Sequence, residues 1–240
     1  MKAIILAAGY GTRLRPLTNK TPKCLIPING KPLLGNWFDL LNEQDFSEVL
    51  INTHYLAKEV DLYIEGYTKN NNTKMNIQTV YEKRLLGTAG TIWKNKKFVG
   101  SGDCVVINGD VLSNVDLRDL YRFHIKNKFL LSLGYILNDN AKDCGVMELD
   151  NESKIIKFEE KPKEIFSNKI YSGIQVLNSK IFGKLPFNDI EDNNYMNLDF
   201  GYHIWPRLIG QMAAYKLDCF LIDIGDIDSY KRAQKTWKNK

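Results

Sequence analysis

The sequence predicts an α/β protein in which helices cover both faces of a mostly parallel β-sheet. In the first half of the chain, short apolar runs alternate with segments whose apolar residues recur at helical spacing. A helix between successive strands is typical of parallel pairing. From Phe129 onward, strand-like runs follow one another with few helical segments between them. This change predicts antiparallel strands that extend or cap the sheet.

The first half contains four predicted strands and four predicted helices. We expect the strands at residues 3–6, 49–51, 77–81 and 104–107. We expect the helices at residues 32–41, 56–64, 88–98 and 116–126. Ligands of open α/β sheets bind beyond the carboxyl ends of the strands. Candidate sites should therefore follow Leu6, Tyr81 and Ile107.

The second half of the chain is expected to add strands and helices to the fold of the first half. Its predicted strands cover residues 130–137, 145–149, 155–159, 170–177 and 221–222. Its helices should lie near 200–209, where Pro206 must kink the helix or mark its start, and at 226–237. No internal repeat or linker is visible, so we predict one domain over residues 1–240.

Composition narrows the class of protein. With 240 residues, 44% of them hydrophobic and 25% charged, the chain is not disordered, collagen-like or coiled-coil. Its longest uncharged runs are about half of the ~20 residues that cross a bilayer, and no signal peptide is evident, so we expect a cytoplasmic protein without a membrane partner. The net charge of +5 comes from lysines that are not interleaved with stacking aromatics, which favours a solvated surface over a nucleic-acid site. Four widely spaced cysteines favour neither zinc nor a redox motif.

A glycine-rich loop after the first strand is the most informative segment. Gly9 and Gly11 allow backbone N–H groups to approach an anion closely, Thr12 adds a hydroxyl, and Arg13 and Arg15 can bind phosphate bidentately. The segment is neither a P-loop nor the dinucleotide fingerprint, because Leu14 stands at the third glycine position. An ordinary loop with solvated arginines is the alternative, and we favour phosphate binding.

Carboxylates follow two predicted strands. Asp110 comes just after the strand at residues 104–107, and Asp223 ends the last predicted strand. Mg²⁺ prefers carboxylates and substrate phosphates, so this pair predicts a magnesium site. The alternative for Asp110 is a simple turn. Asp226 is expected to cap the final helix instead.

Two prolines lie beside charged residues. Pro22 stiffens the chain before Lys23, so that ammonium can be aimed at little ordering cost. Pro162 follows Glu160 and Lys161 at a predicted strand end. Such a pair suits a phosphorylated sugar, with the carboxylate accepting from hydroxyls and the ammonium holding phosphate. Surface decoration is an equal alternative for Glu160 and Lys161, and Lys23 taken by itself indicates only an ordinary solvated lysine.

Taken together, these motifs resemble the sugar-1-phosphate nucleotidylyltransferases over nearly the whole chain. The matching segments are residues 1–18, 21–23, 86–90, 108–110, 160–162 and 223–225. The resemblance implies a three-layer α/β/α sandwich of the nucleotide-diphospho-sugar transferase type, with a Rossmann-like mixed sheet. It implies Mg²⁺-dependent transfer from an NTP to a sugar 1-phosphate, which gives NDP-sugar for glycan or cell-surface polysaccharide synthesis, and pyrophosphate. Residues 1–128 would form the nucleotide-binding half and 129–240 the sugar-binding half.

The resemblance also implies a role for each matched position. Catalysis would rest on Arg13, Lys23 and Asp110, and the metal on Asp110 and Asp223. The positions implied for nucleotide binding are Leu6, Ala7, Ala8, Gly9, Gly11, Thr12, Arg13, Glu82, Leu86, Gly87 and Thr88, of which the last four would face the base. The positions implied for the sugar phosphate are Asn108, Gly145, Glu160, Lys161 and Gly173.

Several alternatives stay open on the sequence. The segments at 86–90 and 108–110 look most like guanylyltransferases of mannose- or heptose-type sugars, which we slightly favour, but uridylyl, thymidylyl and cytidylyl transfer remain. A catalytically silent, nucleotide-sugar-binding regulatory subunit is the alternative from another class. We expect a monomer or homodimer, no further C-terminal domain, and structural roles for His54, His124 and His203.

Overall fold

The computed structural model describes residues 1–71, 73–139, 141–184 and 197–238. The chain groups into two compact units. The first unit comprises Met1–Leu85, Ile107–Val115 and Cys219–Lys240, and the second comprises Leu86–Val106 and Asp116–Asp218. Among the described residues, no helix is long and apolar enough to cross a membrane. The single domain with halves at 1–128 and 129–240 stays a prediction.

Thirteen strands and six α-helices make up the regular structure of the described residues. The strands are β1 (Lys2–Leu6), β2 (Pro27–Ile28), β3 (Lys31–Pro32), β4 (Glu48–Thr53), β5 (Asn76–Tyr81), β6 (Asp103–Asn108), β7 (Val111–Ser113), β8 (Leu131–Leu137), β9 (Gly145–Leu149), β10 (Ile155–Glu160), β11 (Lys169–Asn178), β12 (Met212–Lys216) and β13 (Leu221–Asp223). The helices are α1 (Leu33–Glu43), α2 (Ala57–Asn70), α3 (Thr88–Lys94), α4 (Lys96–Val99), α5 (Leu117–Asn127) and α6 (Ile227–Thr236).

The first unit is built on parallel strands. β1 pairs with β4, and β4 pairs with β5, both in parallel. The central residues of β1, from Ala3 to Ile5, have no exposed surface, as expected for a strand covered on both faces. Helix α1 buries the apolar positions that predicted it, and Trp37 Nε1 also donates to the Val111 carbonyl at 2.7 Å. The predicted parallel α/β arrangement of this half is confirmed.

A short antiparallel ladder in the first unit joins distant parts of the chain. β7 pairs with β13, so that Asp223 stands opposite Val111. The Ile224 N–H then donates to the Asp110 carbonyl at 2.8 Å. Helix α6 follows at once, and its N-terminus has a capping box of Asp226 and Ser229. The predicted capping role of Asp226 is therefore confirmed.

The second unit contains the predicted antiparallel strands. β9 pairs with β10 and β11, and β8 pairs with β11, all antiparallel. β12, which the sequence did not predict, adds to β8 in parallel. The pairing of β11 with β8 shifts between Tyr171 and Gln175, where Gly173 has φ +80°. A glycine at this bulge supplies backbone conformations that other residues avoid.

Two predicted helices are interrupted in the structure. Residues 200–209 form a single π-helical turn, Phe200–Ile204, and a short 3-10 turn, Trp205–Arg207. Pro206 cannot donate a helical hydrogen bond, which limits this segment to separate turns. The helix expected at 88–98 is divided at Asn95, whose side-chain amide donates to the Thr91 carbonyl at 2.9 Å and competes with regular helix continuation.

We expect Asp116→Ala to lower the free energy of unfolding by about 1 kcal/mol. Asp116 caps helix α5, since its carboxylate accepts from the Arg118 N–H at 2.9 Å. Asp116→Asn keeps an acceptor at the cap and should lose less. Urea unfolding of the two variants and the parent checks this, and equal losses would contradict the capping role.

Candidate functional site

A glycine loop of residues 7–14 follows β1 in the first unit. Leu14 anchors its end, because this side chain is fully buried in an apolar cluster with Ile26 and Leu112. Gly11 has φ +61°, and a Cβ there would lie 2.8 Å from Thr18 Cγ2. The Thr18 hydroxyl donates to the Gly11 carbonyl at 2.8 Å. The loop is thus held in a shape that only glycine accommodates at position 11.

The loop forms one wall of a cavity of about 210 Å³. The residues that line it are Leu6, Ala7, Gly9, Gly11, Thr12, Arg13, Lys23, Cys24, Gly109, Asp110 and Gly225. Ala8, which was predicted with them, is buried and is not among the lining residues. Nothing lies within 4 Å of the place where a Cβ of Gly9 would be. An anion can therefore approach the backbone there without meeting a side chain.

Lys23 and Asp110 form an ion pair at this cavity. The Lys23 ammonium donates to Asp110 Oδ2 at 2.6 Å, and the lysine side chain is only 13% exposed. Gly109 presses the chain against the end of β1: its N–H donates to the Leu6 carbonyl at 2.9 Å, and a Cβ would lie 2.7 Å from that oxygen. Glycine therefore places Asp110 directly beside the end of the first strand.

Asp223 completes a cluster of four charged groups. The β7–β13 ladder brings it beside Asp110, and the Arg13 guanidinium lies 3.4 Å from the position of a Cβ on Gly225. Although part of the residue reaches solvent, desolvation and then the charge of Asp110 raise the pKa of Asp223 to about 6, while Lys23 and Arg13 oppose this. The structure thus brings together the charged residues that the sequence singled out.

Two carboxylates and a cavity open to phosphate fit the donor set that Mg²⁺ takes. Mg²⁺ usually binds one or two carboxylates together with substrate phosphates and waters, rather than a closed protein cage. In the described part of the chain, no group of three or more His, Cys, Asp or Glu side chains could hold a metal. Asp110 and Asp223 are therefore compatible with a metal shared with a substrate, and the metal itself stays a prediction.

Glu82 lies at the end of β5 in the first unit and is almost fully buried. Its carboxylate accepts from Asn52 Nδ2 at 3.0 Å, and Asn52 Oδ1 accepts from the Ala7 N–H at 2.7 Å. The Glu82 carbonyl is 2.7 Å from His54 Nδ1. These contacts tie Glu82 to the start of the glycine loop, and sequence reasoning missed both Asn52 and His54.

The segment 86–88 lies in the second unit. Gly87 has φ +77°, and a Cβ there would collide with the Leu198 carbonyl. The Thr88 hydroxyl donates to Asp199 Oδ2 at 2.9 Å and accepts from the Phe200 N–H at 2.9 Å. Sequence reasoning expected Gly87 to admit a base. The structure gives this glycine a packing reason, since the backbone at Leu198 takes the space.

Glu160 occupies a slot between two glycines of the second unit. A Cβ on Gly145 would lie 2.7 Å from Glu160 Oε2, and a Cβ on Gly201 would lie 2.5 Å from it. Burial and then the charge of Asp199 raise the pKa of Glu160 to about 7, while Lys161 lowers it. Lys161 itself is exposed and has φ +50°. The sequence indicated Gly145 and Glu160 but gave no signal for Gly201.

A Ser–His–Asp arrangement in the second unit is structural. His124 Nδ1 is 2.8 Å from Ser132 Oγ, and its Nε2 is 3.1 Å from Asp103 Oδ1. Ser132 has no exposed surface, so no substrate can reach its hydroxyl. Burial lowers the pKa of His124, against the charge of Asp103. Near the cavity of the first unit, burial raises the pKa of Cys24 to about 12, which makes its thiol a poor nucleophile.

Comparison with known proteins identifies the family. The family model described as Nucleotidyl transferase matches residues 2–240. The chain belongs to this family. The resemblance found in the sequence motifs and the predicted fold class are thereby confirmed.

Similar proteins differ in the nucleotide that their names give. The chain is 32% identical to D-glycero-alpha-D-manno-heptose 1-phosphate guanylyltransferase of Aneurinibacillus thermoaerophilus, over 98% of this chain and 97% of that one. It is 28% identical to UTP--glucose-1-phosphate uridylyltransferase of Synechocystis, where 97% of the chain spans 62% of the relative. The crystal structure of HddC from Yersinia pseudotuberculosis has a TM-score of 0.80 and 25% identity, and covers 99% of both chains. HddC has also been crystallised in complex with GMP-PN.

Gly11→Ala should lower the free energy of unfolding by about 1–3 kcal/mol, because alanine is strained at a positive φ and its methyl group meets Thr18. Gly9→Ala is the matched control in the same loop and should change it by less than about 1 kcal/mol, since the space there is open. Thermal and urea unfolding check the pair. Equal destabilisation by both variants would contradict the geometry of the loop.

The stability of the protein should fall as the pH rises from about 4.5 to about 7, because the folded chain retains a proton on Glu160 that the unfolded chain releases. Glu160→Gln removes this contribution. The free energy of unfolding of the variant, relative to that of the parent, should therefore rise by about 1–2 kcal/mol as the pH increases from about 5 to about 8, after allowance for solvent screening. Glu159→Gln, at the exposed neighbouring position, is the control. A parallel pH profile for Glu160→Gln and the parent would reject the protonated carboxyl.

Proposed function

We propose that this chain transfers a nucleotidyl group from an NTP to a sugar 1-phosphate and releases pyrophosphate. The observation that carries the proposal is that Arg13, Lys23 and Asp110 line one cavity of the first unit, and that Asp223 interacts electrostatically with all three. Cations and N–H groups at the glycine loop suit a polyphosphate. The relatives named as sugar-1-phosphate nucleotidyltransferases support the same reaction.

The reaction needs no covalent nucleophile from the protein. An oxygen of the sugar 1-phosphate attacks the α-phosphorus in line, and pyrophosphate leaves. Both reactants are anions, so the barrier lies in their repulsion and in their alignment. We assign Arg13 to the phosphates and to the charge that develops during transfer, and Lys23 to phosphate at the reacting centre. The Gly9 and Gly11 backbone provides further donors.

For the metal, we propose that Asp110 and Asp223 bind Mg²⁺ together with phosphate oxygens. Burial and then the charge of Asp110 raise the pKa of Asp223, and a divalent cation would relieve the repulsion between the two carboxylates. Mg²⁺, when bound, would neutralise part of the phosphate charge during transfer. Arg13 and Lys23 would orient the phosphates beside it.

For the sugar, we propose the second-unit residues Gly145, Glu160 and Lys161. Glu160 is held in its slot by contact with glycine backbone, so its carboxyl group is rigidly placed. A rigid carboxyl group can accept from sugar hydroxyls, and when protonated it can also donate. Lys161 would hold the sugar phosphate. For Gly173 and Asn108, a role toward the sugar phosphate stays a prediction.

We favour GTP and a mannose- or heptose-type sugar. Support comes from the heptose 1-phosphate guanylyltransferase, whose whole length the chain nearly spans, and from HddC in complex with GMP-PN. The uridylyltransferase relative keeps uridylyl transfer as the alternative, with thymidylyl and cytidylyl transfer behind it. A magnesium requirement and a cytoplasmic location accompany this proposal. A silent regulatory subunit is less favoured, because every charged position that the reaction needs is present.

Pyrophosphate release with a panel of four NTPs and several sugar 1-phosphates tests the proposal. We expect turnover with magnesium, and the highest kcat/KM with GTP. Turnover with UTP alone would contradict the preference for GTP but would support the proposed reaction. Tight binding of an NDP-sugar without turnover on any pair would favour the regulatory subunit and overturn the enzyme.

Arg13→Ala should lower kcat/KM roughly 100- to 1000-fold, since it removes a charge from the transferring phosphate. Arg15→Ala is the matched control: this arginine is exposed, belongs to the same segment and does not line the cavity. We expect it to retain activity within about 3-fold of the parent. Similar losses in both variants would show that the effect is general charge rather than the position of Arg13.

A further inference from the structure

His54 links the glycine loop to the end of β5 within the first unit. Its Nδ1 lies 2.7 Å from the Glu82 carbonyl, and its Nε2 lies 2.8 Å from the Tyr10 hydroxyl. A carbonyl can only accept, so Nδ1 carries the proton, and in the neutral ring Nε2 accepts from Tyr10. The rings of Tyr10 and His54 also meet edge to face at 5.3 Å. His54 is thus held on one side and restrains Tyr10 on the other.

The restrained residue, Tyr10, lies at a loop position where a side chain is normally mobile. It stands between Gly9 and Gly11, and its side chain is 44% exposed at the tip of the loop. Glycines on both sides leave the backbone free to move, and an exposed tyrosine normally keeps its rotamer freedom. The hydrogen bond and the ring contact remove part of this freedom before any ligand arrives.

The neighbours of His54 hold the same loop elsewhere. Asn52 accepts from the Ala7 N–H at 2.7 Å, where the loop begins. The Tyr55 hydroxyl donates to the Thr18 carbonyl at 2.9 Å, and the Thr18 hydroxyl donates to Gly11. Residues 52–55 therefore fix the start, the tip and the far side of the loop from one strand end.

We propose that His54 is a positioning residue for the nucleoside triphosphate and acts through Tyr10. By fixing Tyr10, it keeps the backbone of the flanking Gly9 and Gly11 aimed into the cavity. The ordering cost of the loop is then met during folding rather than at binding, which raises affinity for the polyphosphate. This inference rests on the proposed function, because the proposed function is what assigns the triphosphate to this cavity. It gives a functional role to a histidine that the sequence indicated as structural.

Two conservative variants test the link. Tyr10→Phe removes only the hydroxyl group, and His54→Asn keeps a donor for the Glu82 carbonyl while removing the acceptor for Tyr10. Each should raise the KM for the NTP roughly 5-fold and leave kcat within about 2-fold. The double variant should be no worse than either single variant, because both remove one interaction. Tyr81→Phe is the control, since this exposed ring stacks near His54 at 6.3 Å and the change keeps the ring.

A binding measurement separates this inference from the proposed reaction. Calorimetric titration with magnesium tripolyphosphate should show roughly 5-fold weaker binding for Tyr10→Phe, and none of this loss for Tyr81→Phe. Weaker binding without turnover in the parent would reject the reaction and keep the positioning role. Turnover in the parent with unchanged KM and unchanged tripolyphosphate affinity in the variants would overturn the positioning role alone. Additive effects in the double variant, or a lowered Tm without a KM change, would also overturn it.

Discussion

The proximity of two aspartates is the constraint on which the first unit depends. Asp110 and Asp223 come from distant parts of the chain and are brought together by three paired residues of β7 and β13 and one further backbone hydrogen bond. Like charges at this spacing oppose folding, and Lys23 and Arg13 offset the repulsion. Three of these four groups, Arg13, Lys23 and Asp110, also line the cavity. The contacts that offset this repulsion in the folded protein are therefore made by the residues to which we assign the proposed function.

Glycines give charged side chains their places in both units. In the first unit, Gly109 brings Asp110 against the end of β1, where a methyl group would press on the Leu6 carbonyl. In the second unit, Gly145 and Gly201 flank the Glu160 carboxyl, and a methyl group on either would press on it. At these positions the absence of a Cβ lets neighbouring groups pack closely and so determines where the charged side chains lie.

Local patterns predicted nine of the thirteen strands, most helices and the glycine loop. Those features depend on periodicity and on residues close in sequence, as the buried stripe of α1 demonstrates. The β7–β13 ladder was not predictable, because short strands with long separation have no local signature. Gly201 was equally hidden: its role depends on Glu160, and the surrounding segment was expected to be a helix. Sequence therefore singled out charged groups that the structure brings together, and missed several residues that hold them in place.

Two side chains that can act as nucleophiles in other proteins, those of Cys24 and Ser132, are held inactive here. Burial raises the pKa of Cys24 to about 12, and Ser132 is enclosed beside a histidine whose pKa burial lowers. The charged residues that line the cavity are Arg13, Lys23 and Asp110, beside the backbone of Gly9 and Gly11. Such groups can hold two anions in line and stabilise the charge that passes between them. Direct transfer between phosphates is the reaction that this set of groups can support.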